Sequence, residues 1–114
     1  MKERKEGKMP KLRDREKLMR AIGDPHRIRL ITALMNKPQY VSQLIKTAKL
    51  DRSAASYNLA VLESTGILQS HYVILNEPHS KGRAARVYSV NTARLREALS
   101  LLDPLRSPPK VRTP

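Results

Sequence analysis

Cysteine is absent from the 114 residues, and so are tryptophan and phenylalanine. Without cysteine there is no disulfide, no thiolate metal ligand, no thiol nucleophile and no thiol redox sensor. A cytoplasmic location is the default expectation for such a chain. Without Trp or Phe there is nothing to anchor a basic helix in lipid. No apolar run approaches the length of a membrane span, and the charged N-terminus has no apolar segment behind it, so neither a membrane partner nor a secretory signal is expected. Acidic residues are also scarce: 10 Asp and Glu face 23 Lys and Arg, a formal charge of +13. That balance points to a polyanionic partner. No phosphate loop or nucleophile motif is present, so no enzyme is expected. His26, His71 and His79 are scattered and lack the convergence of a zinc site, so neither a metal nor another cofactor is expected.

The length suits one small domain. Met1 to Pro10, "MKERKEGKMP", is charged and has no apolar face; it reads as a flexible basic arm over 1–10. A folded domain is expected over 11–103 and a Pro-rich extended tail over 104–114. A first helix from Lys11 to Ile22 carries only Leu12, Leu18, Met19 and Ile22, a stripe short enough to call for a partner outside its own turn. In "GDPHRIRLITALMNKP", Asp24 caps a second helix and Pro25 suits its first position. Ile28, Ile31, Leu34 and Met35 are expected inward. "YVSQLIKTAKL" makes a short third helix with Val41, Leu44, Ile45 and Ala48 inward. Asp51 then caps a fourth helix that Gly66 stops. Ile67 to Leu75 and Arg86 to Val90 read as the strands of a hairpin with a long basic tip, "NEPHSKGRAA". A last helix runs from about Thr92 to Leu102, and Asp103-Pro104 ends it.

The fourth helix, "DRSAASYNLAVLESTG", is the anomaly in so basic a chain. It holds one base, Arg52, against two acids, Asp51 and Glu63. At about 100° per residue, Ala55, Leu59 and Leu62 face the core, while Ser53, Tyr57, Ala60 and Ser64 face outward. Ser56 lies on one flank and Asn58 on the margin of the apolar stripe. Two short helices joined by a tight turn, the second with a small neutral face, suggest a helix-turn-helix whose second helix enters the major groove. Hydroxyls, amides and methyls suit base edges there, while phosphate contacts come from basic segments around it. The same face also suits simple helix packing, and the helix alone does not decide between them.

Arg52 is placed to reach a guanine edge or a phosphate, with a solvated surface charge as the alternative. Ser53 and Ser56 are groove candidates because Asp51 already supplies the cap. Tyr57 either stacks in the groove or packs against the wing. Lys81, Arg83 and Arg86 make the hairpin basic and suit phosphate or minor-groove contact. Arg27 and Arg29 follow a helix start, where the dipole disfavours positive charge; that hints at an external anion or an acidic neighbour.

Four segments together resemble the winged helix-turn-helix of ArsR-type regulators: "AIGDPHRIRLITAL", "VSQLIKTAKLDRSAASYNLAVLESTGIL", its inner portion "SYNLAVLESTGIL" with Asn58 where the family usually has His, and "GRAARVYSV". The resemblance covers about Ala21 to Leu102. It implies a mainly α fold with a small β-hairpin, dimerised through its N- and C-terminal helices. It further implies a sequence-specific double-stranded DNA-binding transcriptional regulator, usually a repressor, acting as a homodimer. DNA contacts would fall to Arg52, Ser53, Ser56, Tyr57, Asn58, Lys81, Arg83 and Arg86. The dimer interface would use Leu12, Leu18, Met19, Ile22, Leu95, Leu99 and Leu102. The family's metal response is not carried over, because "YVSQL" has no Cys-x-Cys and "TARLREALSLLDPL" has no His. An architectural DNA-coating protein and a winged-helix protein-interaction module remain as rival readings, and the sequence names no effector.

Overall fold

The computed structural model describes residues 12–76, 78, 79 and 82–106. The basic arm, Lys81 and the last eight residues of the tail lie outside the described residues. The order is α1 (Leu12–Ile22), α2 (Pro25–Asn36), β1 (Gln39–Tyr40), α3 (Val41–Ala48), α4 (Arg52–Ser64), β2 (Leu68–Ile74), β3 (Ala84–Val90), α5 (Thr92–Ser100) and α6 (Asp103–Arg106). A three-stranded antiparallel sheet of order β1-β3-β2 closes the side of the helices.

The caps read from the sequence form. Asp24 accepts from the backbone N–H groups of His26 at 2.8 Å and Arg27 at 3.2 Å. Asp51 accepts from Ala54 N–H at 2.7 Å and starts α4 after a turn of only three residues. That turn runs through Lys49 in the left-handed region, φ 58°. Such a conformation costs a side-chain-bearing residue about 1–2 kcal/mol. It is held because the N–H groups of Lys49 and Leu50 both bond back to the Ile45 carbonyl. Gly66, φ 84°, turns the chain out of α4 into β2, and the Cβ of any other residue there would sit 3.5 Å from the Arg94 side chain.

The core joins all the long helices to the root of the hairpin. Leu18, Leu30, Leu44, Leu59, Leu62, Ile67 and Leu68 are its large, fully buried side chains. Val41 and Ile45 pack against its margin. Gln39 is buried but satisfied: its amide donates to the Ala33 carbonyl at 2.8 Å and its oxygen accepts from Thr47 at 3.3 Å.

Four expectations are corrected. On α2 the inner face is Leu30, Ile31, Ala33 and Leu34, while Ile28 and Met35 are exposed. The apolar side of α2 is wider than one stripe, and the sheet and α4 cover its Leu30–Ala33 side. Gln39 and Tyr40 form β1, pairing with Tyr88 and Val87, rather than leading straight into α3. Asp103-Pro104 starts the short helix α6 instead of an extended tail. The fourth concerns the first helix, whose partner lies within the same protomer. Leu18 and Ile22 of α1 and Leu95 of α5 are buried against one another's elements in this single chain. Within the protomer they therefore leave little surface for a second copy. Of the expected interface, Leu12 and Leu99 are exposed, and Met19 and Leu102 are half-buried.

Candidate nucleic-acid interface

Helix α4 presents two different sides. Its inner side buries Ala55, Leu59 and Leu62 in the core. Its outer side exposes Arg52, Ser53, Ser56, Tyr57, Ala60 and Ser64. Tyr57 is 66% exposed, an unusual state for a residue that buries so much apolar area when it packs. The Ser53–Tyr57 surface is thus open in the protomer. Arg52 makes no ion pair or side-chain hydrogen bond with another described residue. Lys17 and Arg20 of α1, with Arg27 of α2, line a shallow hollow beside Tyr57 and Ser64, placing three cations next to the neutral face. No motif singles out Lys17 and Arg20 in sequence; only the folding of α1 beside α4 brings them there.

Asn58 does not join that surface. It is 5% exposed, its amide nitrogen donates to the Ala54 carbonyl at 2.8 Å, and its oxygen accepts from Arg27 Nη1 at 2.8 Å. The expected groove contact at Asn58 is therefore corrected: both ends of the amide are engaged inside the protein.

The hairpin carries the second half of the site. Tyr72 pairs with Arg86 and Ile74 with Ala84 across β2 and β3. Gly82, φ 79°, makes the tip turn, with Leu75 N–H donating to the Arg83 carbonyl at 2.8 Å. Arg83 is exposed at this tip. Arg86 behaves differently. Its Nη2 donates to the two carboxylate oxygens of Glu63 at 2.8 and 3.1 Å, and its Nε donates to Ser70 Oγ at 2.9 Å. Ser70 Oγ in turn donates to Glu63. The guanidinium also stacks over the rings of Tyr88, 5.2 Å away, and Tyr72, 5.9 Å away. Arg86, expected at phosphate or the minor groove, ties the wing to the last turn of α4 through its head group while its side chain stays 41% exposed. Burial pushes the Tyr88 phenol above its ordinary value, against the pull of Arg86.

Arg27 and Arg29, anomalous at a helix start, form no ion pair among the described residues, although the Arg27 charge lies near the Asp24 carboxylate. Arg27 Nε donates to the Ala21 carbonyl at 2.8 Å and Nη2 to the Arg20 carbonyl at 3.1 Å. Arg29 Nε donates to the Ala48 carbonyl at 2.9 Å. These are carbonyls at the ends of α1 and α3, which have no intrahelical donor and sit at the negative pole of the helix. Arg94 does the same for α4, donating to the Thr65 carbonyl at 2.7 Å. Among the described residues no three His, Asp or Glu side chains converge as a metal site would require. No helix among them is long and apolar enough to cross a membrane.

The comparisons agree with this geometry. Residues 24–70, from the cap of α2 to the start of β2, match the family model described as "Bacterial regulatory protein, arsR family". No curated protein sequence matches the chain. Among solved structures, a possible transcriptional regulator for arsenical resistance is 26% identical, covers 78% of this chain and 83% of its own, and superposes with a TM-score of 0.63. The transcriptional repressor PagR of Bacillus anthracis is 24% identical, with 80% and 94% covered and a TM-score of 0.60. The homodimeric winged helix-turn-helix DNA-binding domain of a possible ArsR-family regulator from Mycobacterium bovis is 16% identical, with 93% and 90% covered and a TM-score of 0.63. By the family match over its helix-turn-helix and by its fold, the chain carries the DNA-binding winged helix-turn-helix of ArsR-type transcriptional regulators.

Proposed function

We propose that the protein is a homodimeric regulator that represses transcription by binding a specific duplex sequence through α4. One observation carries this reading: a nearly neutral face is left open in a chain of charge +13, with Arg52 at its start and further cations beside it. Ser53, Ser56 and Tyr57 meet base edges, and Arg52 meets a guanine or a phosphate at the helix start. Lys17, Arg20, Arg83 and Lys81 hold the sugar-phosphate backbone. Dimerisation uses what the protomer leaves open on α1, α5, α6 and the turn between the last two: Leu12, Met19, Leu99, Leu102 and Leu105. The homodimeric Mycobacterium bovis domain and the repressor PagR support the dimer and the repressor role respectively.

Selection of duplexes from a random pool by the purified protein tests the reading. The expected product is a palindrome whose half-sites lie about one helical turn, ~34 Å, apart. Affinity for it should fall steeply as salt rises. Equal recovery of all sequences would favour an architectural DNA-binding role, and no retention of duplex at low salt would remove DNA from the account.

A further inference from the structure

The α1–α5 pair reaches α4 by two routes, and each passes through one guanidinium. Arg27, in the first turn of α2, donates from all three of its nitrogens. Two bonds go to the carbonyls of Arg20 and Ala21 at the end of α1, and the third, 2.8 Å long, goes to the Asn58 oxygen in the middle of α4. Arg94, in the first turn of α5, also engages all three. Its Nε holds the Thr65 carbonyl at the end of α4 at 2.7 Å, Nη1 bonds Glu97 at 2.9 Å, and Nη2 lies 3.6 Å from the Asp14 carboxylate on α1. The Arg94 side chain runs alongside Gly66.

We propose that Arg27 and Arg94 are positioning residues for base reading: they fix the tilt and depth of α4 relative to the α1–α5 pair, and they contact no phosphate themselves. The inference rests on the proposal that α4 reads bases and α1 and α5 form the dimer. Three features single these arginines out from the remaining cations. Every guanidinium nitrogen is hydrogen-bonded to the protein or, for Arg94 Nη2, ion-paired with it. Each joins three segments of the described fold through one head group. And each grips α4 away from Ser53 and Ser56, Arg27 at the buried Asn58 in its middle and Arg94 at the Thr65 carbonyl just past its C-terminal end; Arg27 also lines the hollow beside Tyr57 and Ser64, but with all three nitrogens already bonded within the protein. A planar fork can serve three acceptors at once, whereas a lysine ammonium on a flexible stem carries the same charge without that geometry.

The charge-conserving variants Arg27→Lys and Arg94→Lys separate positioning from electrostatics. Affinity is measured over a salt series for the duplex selected by the wild-type protein and for a scrambled duplex of equal length, with folding checked by circular dichroism at the assay temperature. Each variant should bind the selected duplex about tenfold more weakly, the size of one lost base contact. Scrambled-duplex affinity and the slope of log K against log salt should not move, because no phosphate contact is lost. Should Arg27→Lys fail to fold, Asn58→Ala removes its α4 acceptor with no change of charge and carries the same expectation; should Arg94→Lys fail, Arg94→Gln removes the fork, and the same loss on the selected duplex beyond that on the scrambled one is expected. Parallel loss on both duplexes, a shallower salt slope in the matching alanine variants, or no change at all would overturn the proposal. A wild-type protein that does not distinguish the two duplexes defeats the base-reading proposal itself, and this one with it, before any variant is made.

Discussion

Helices α2 and α4 are close to twins in local construction. They run for 12 and 13 residues, each starts at an aspartate cap, and each buries four side chains. They differ in what they do with charge. The first turns of α2 carry Arg27 and Arg29, and both reach inward to carbonyls at the ends of α1 and α3. The first turn of α4 carries Arg52 alone, which points out, and the rest of its outer face is Ser, Ala and Tyr. A basic composition therefore has two destinations within one small fold. Some cations cross-link the scaffold by satisfying the orphan carbonyls of helix ends, and others stay open to solvent beside a neutral surface. Counting Lys and Arg does not tell the two apart; only the partner of each guanidinium does.

The strongest test of the comparison concerns what the two helices share. Leu30 on α2 and Leu59 on α4 are both within 1% of complete burial. Leu30→Ala and Leu59→Ala should each destabilise the protein by about 2–5 kcal/mol, the range for a buried leucine that leaves a partly collapsed cavity. The urea midpoint measures both. If one substitution is nearly neutral, the helices are not equally anchored and the comparison fails at its base.

The outer faces should then separate them. Ser56→Glu puts a negative charge on the exposed face of α4, and Met35→Glu puts one on the exposed side of α2. Neither alters the core, so neither should shift the urea midpoint by more than a few tenths of a molar. Against duplex DNA, Ser56→Glu should weaken binding by roughly tenfold or more, through repulsion from phosphates and a lost groove contact. Met35→Glu should change it by less than about twofold. Fluorescence anisotropy with a labelled duplex checks the pair, and equal loss in both would mean that α4 is not the privileged face.

Much of this was legible in the sequence because the signals were local. Asp24, Pro25, Asp51 and Gly66 mark helix ends by their own chemistry, and the wheel of α4 sorted Ser53, Tyr57, Ala60 and Ser64 from Ala55, Leu59 and Leu62 correctly. Most of the misses depend on distant partners. Asn58 sits on the margin of the stripe, and its burial follows from Arg27, 31 positions away. Arg86 lies beside wing residues yet belongs to Glu63, 23 positions away. Strand β1 is two residues long and exists only because β3 pairs with it. Leu18, Ile22 and Leu95 were assigned to a second copy because nothing in sequence shows that α1 and α5 meet in the same chain. The turn before α4 was found from Asp51, although its left-handed residue is Lys49 and not glycine.

The smallest expected effect sharpens the comparison at the caps themselves. The hydrogen bond from the Arg27 backbone N–H, first among the causes, together with the nearby Arg27 charge and the His26 N–H, holds the Asp24 carboxyl below its ordinary value. The folded protein thus gives up this proton at a lower pH than the unfolded chain, which titrates near ~4. Where the two differ, the unfolded state holds more protons, so stability rises with pH. The contribution is complete above the unfolded value and is lost as pH falls through the folded one. Asp24→Asn keeps a side chain that caps well, so stability at pH 7 should change little. What it removes is the titration. Urea midpoints at pH 7, 4 and 3 should therefore decline less steeply in Asp24→Asn than in the wild type. Because Asp24 sits at the solvent edge, the difference will be small, and acid sensitivity common to the other carboxylates will remain in both. Identical declines would mean that the cap of α2 draws nothing from its neighbouring arginine, and that Arg27 serves the end of α1 and Asn58 without also reinforcing the start of its own helix.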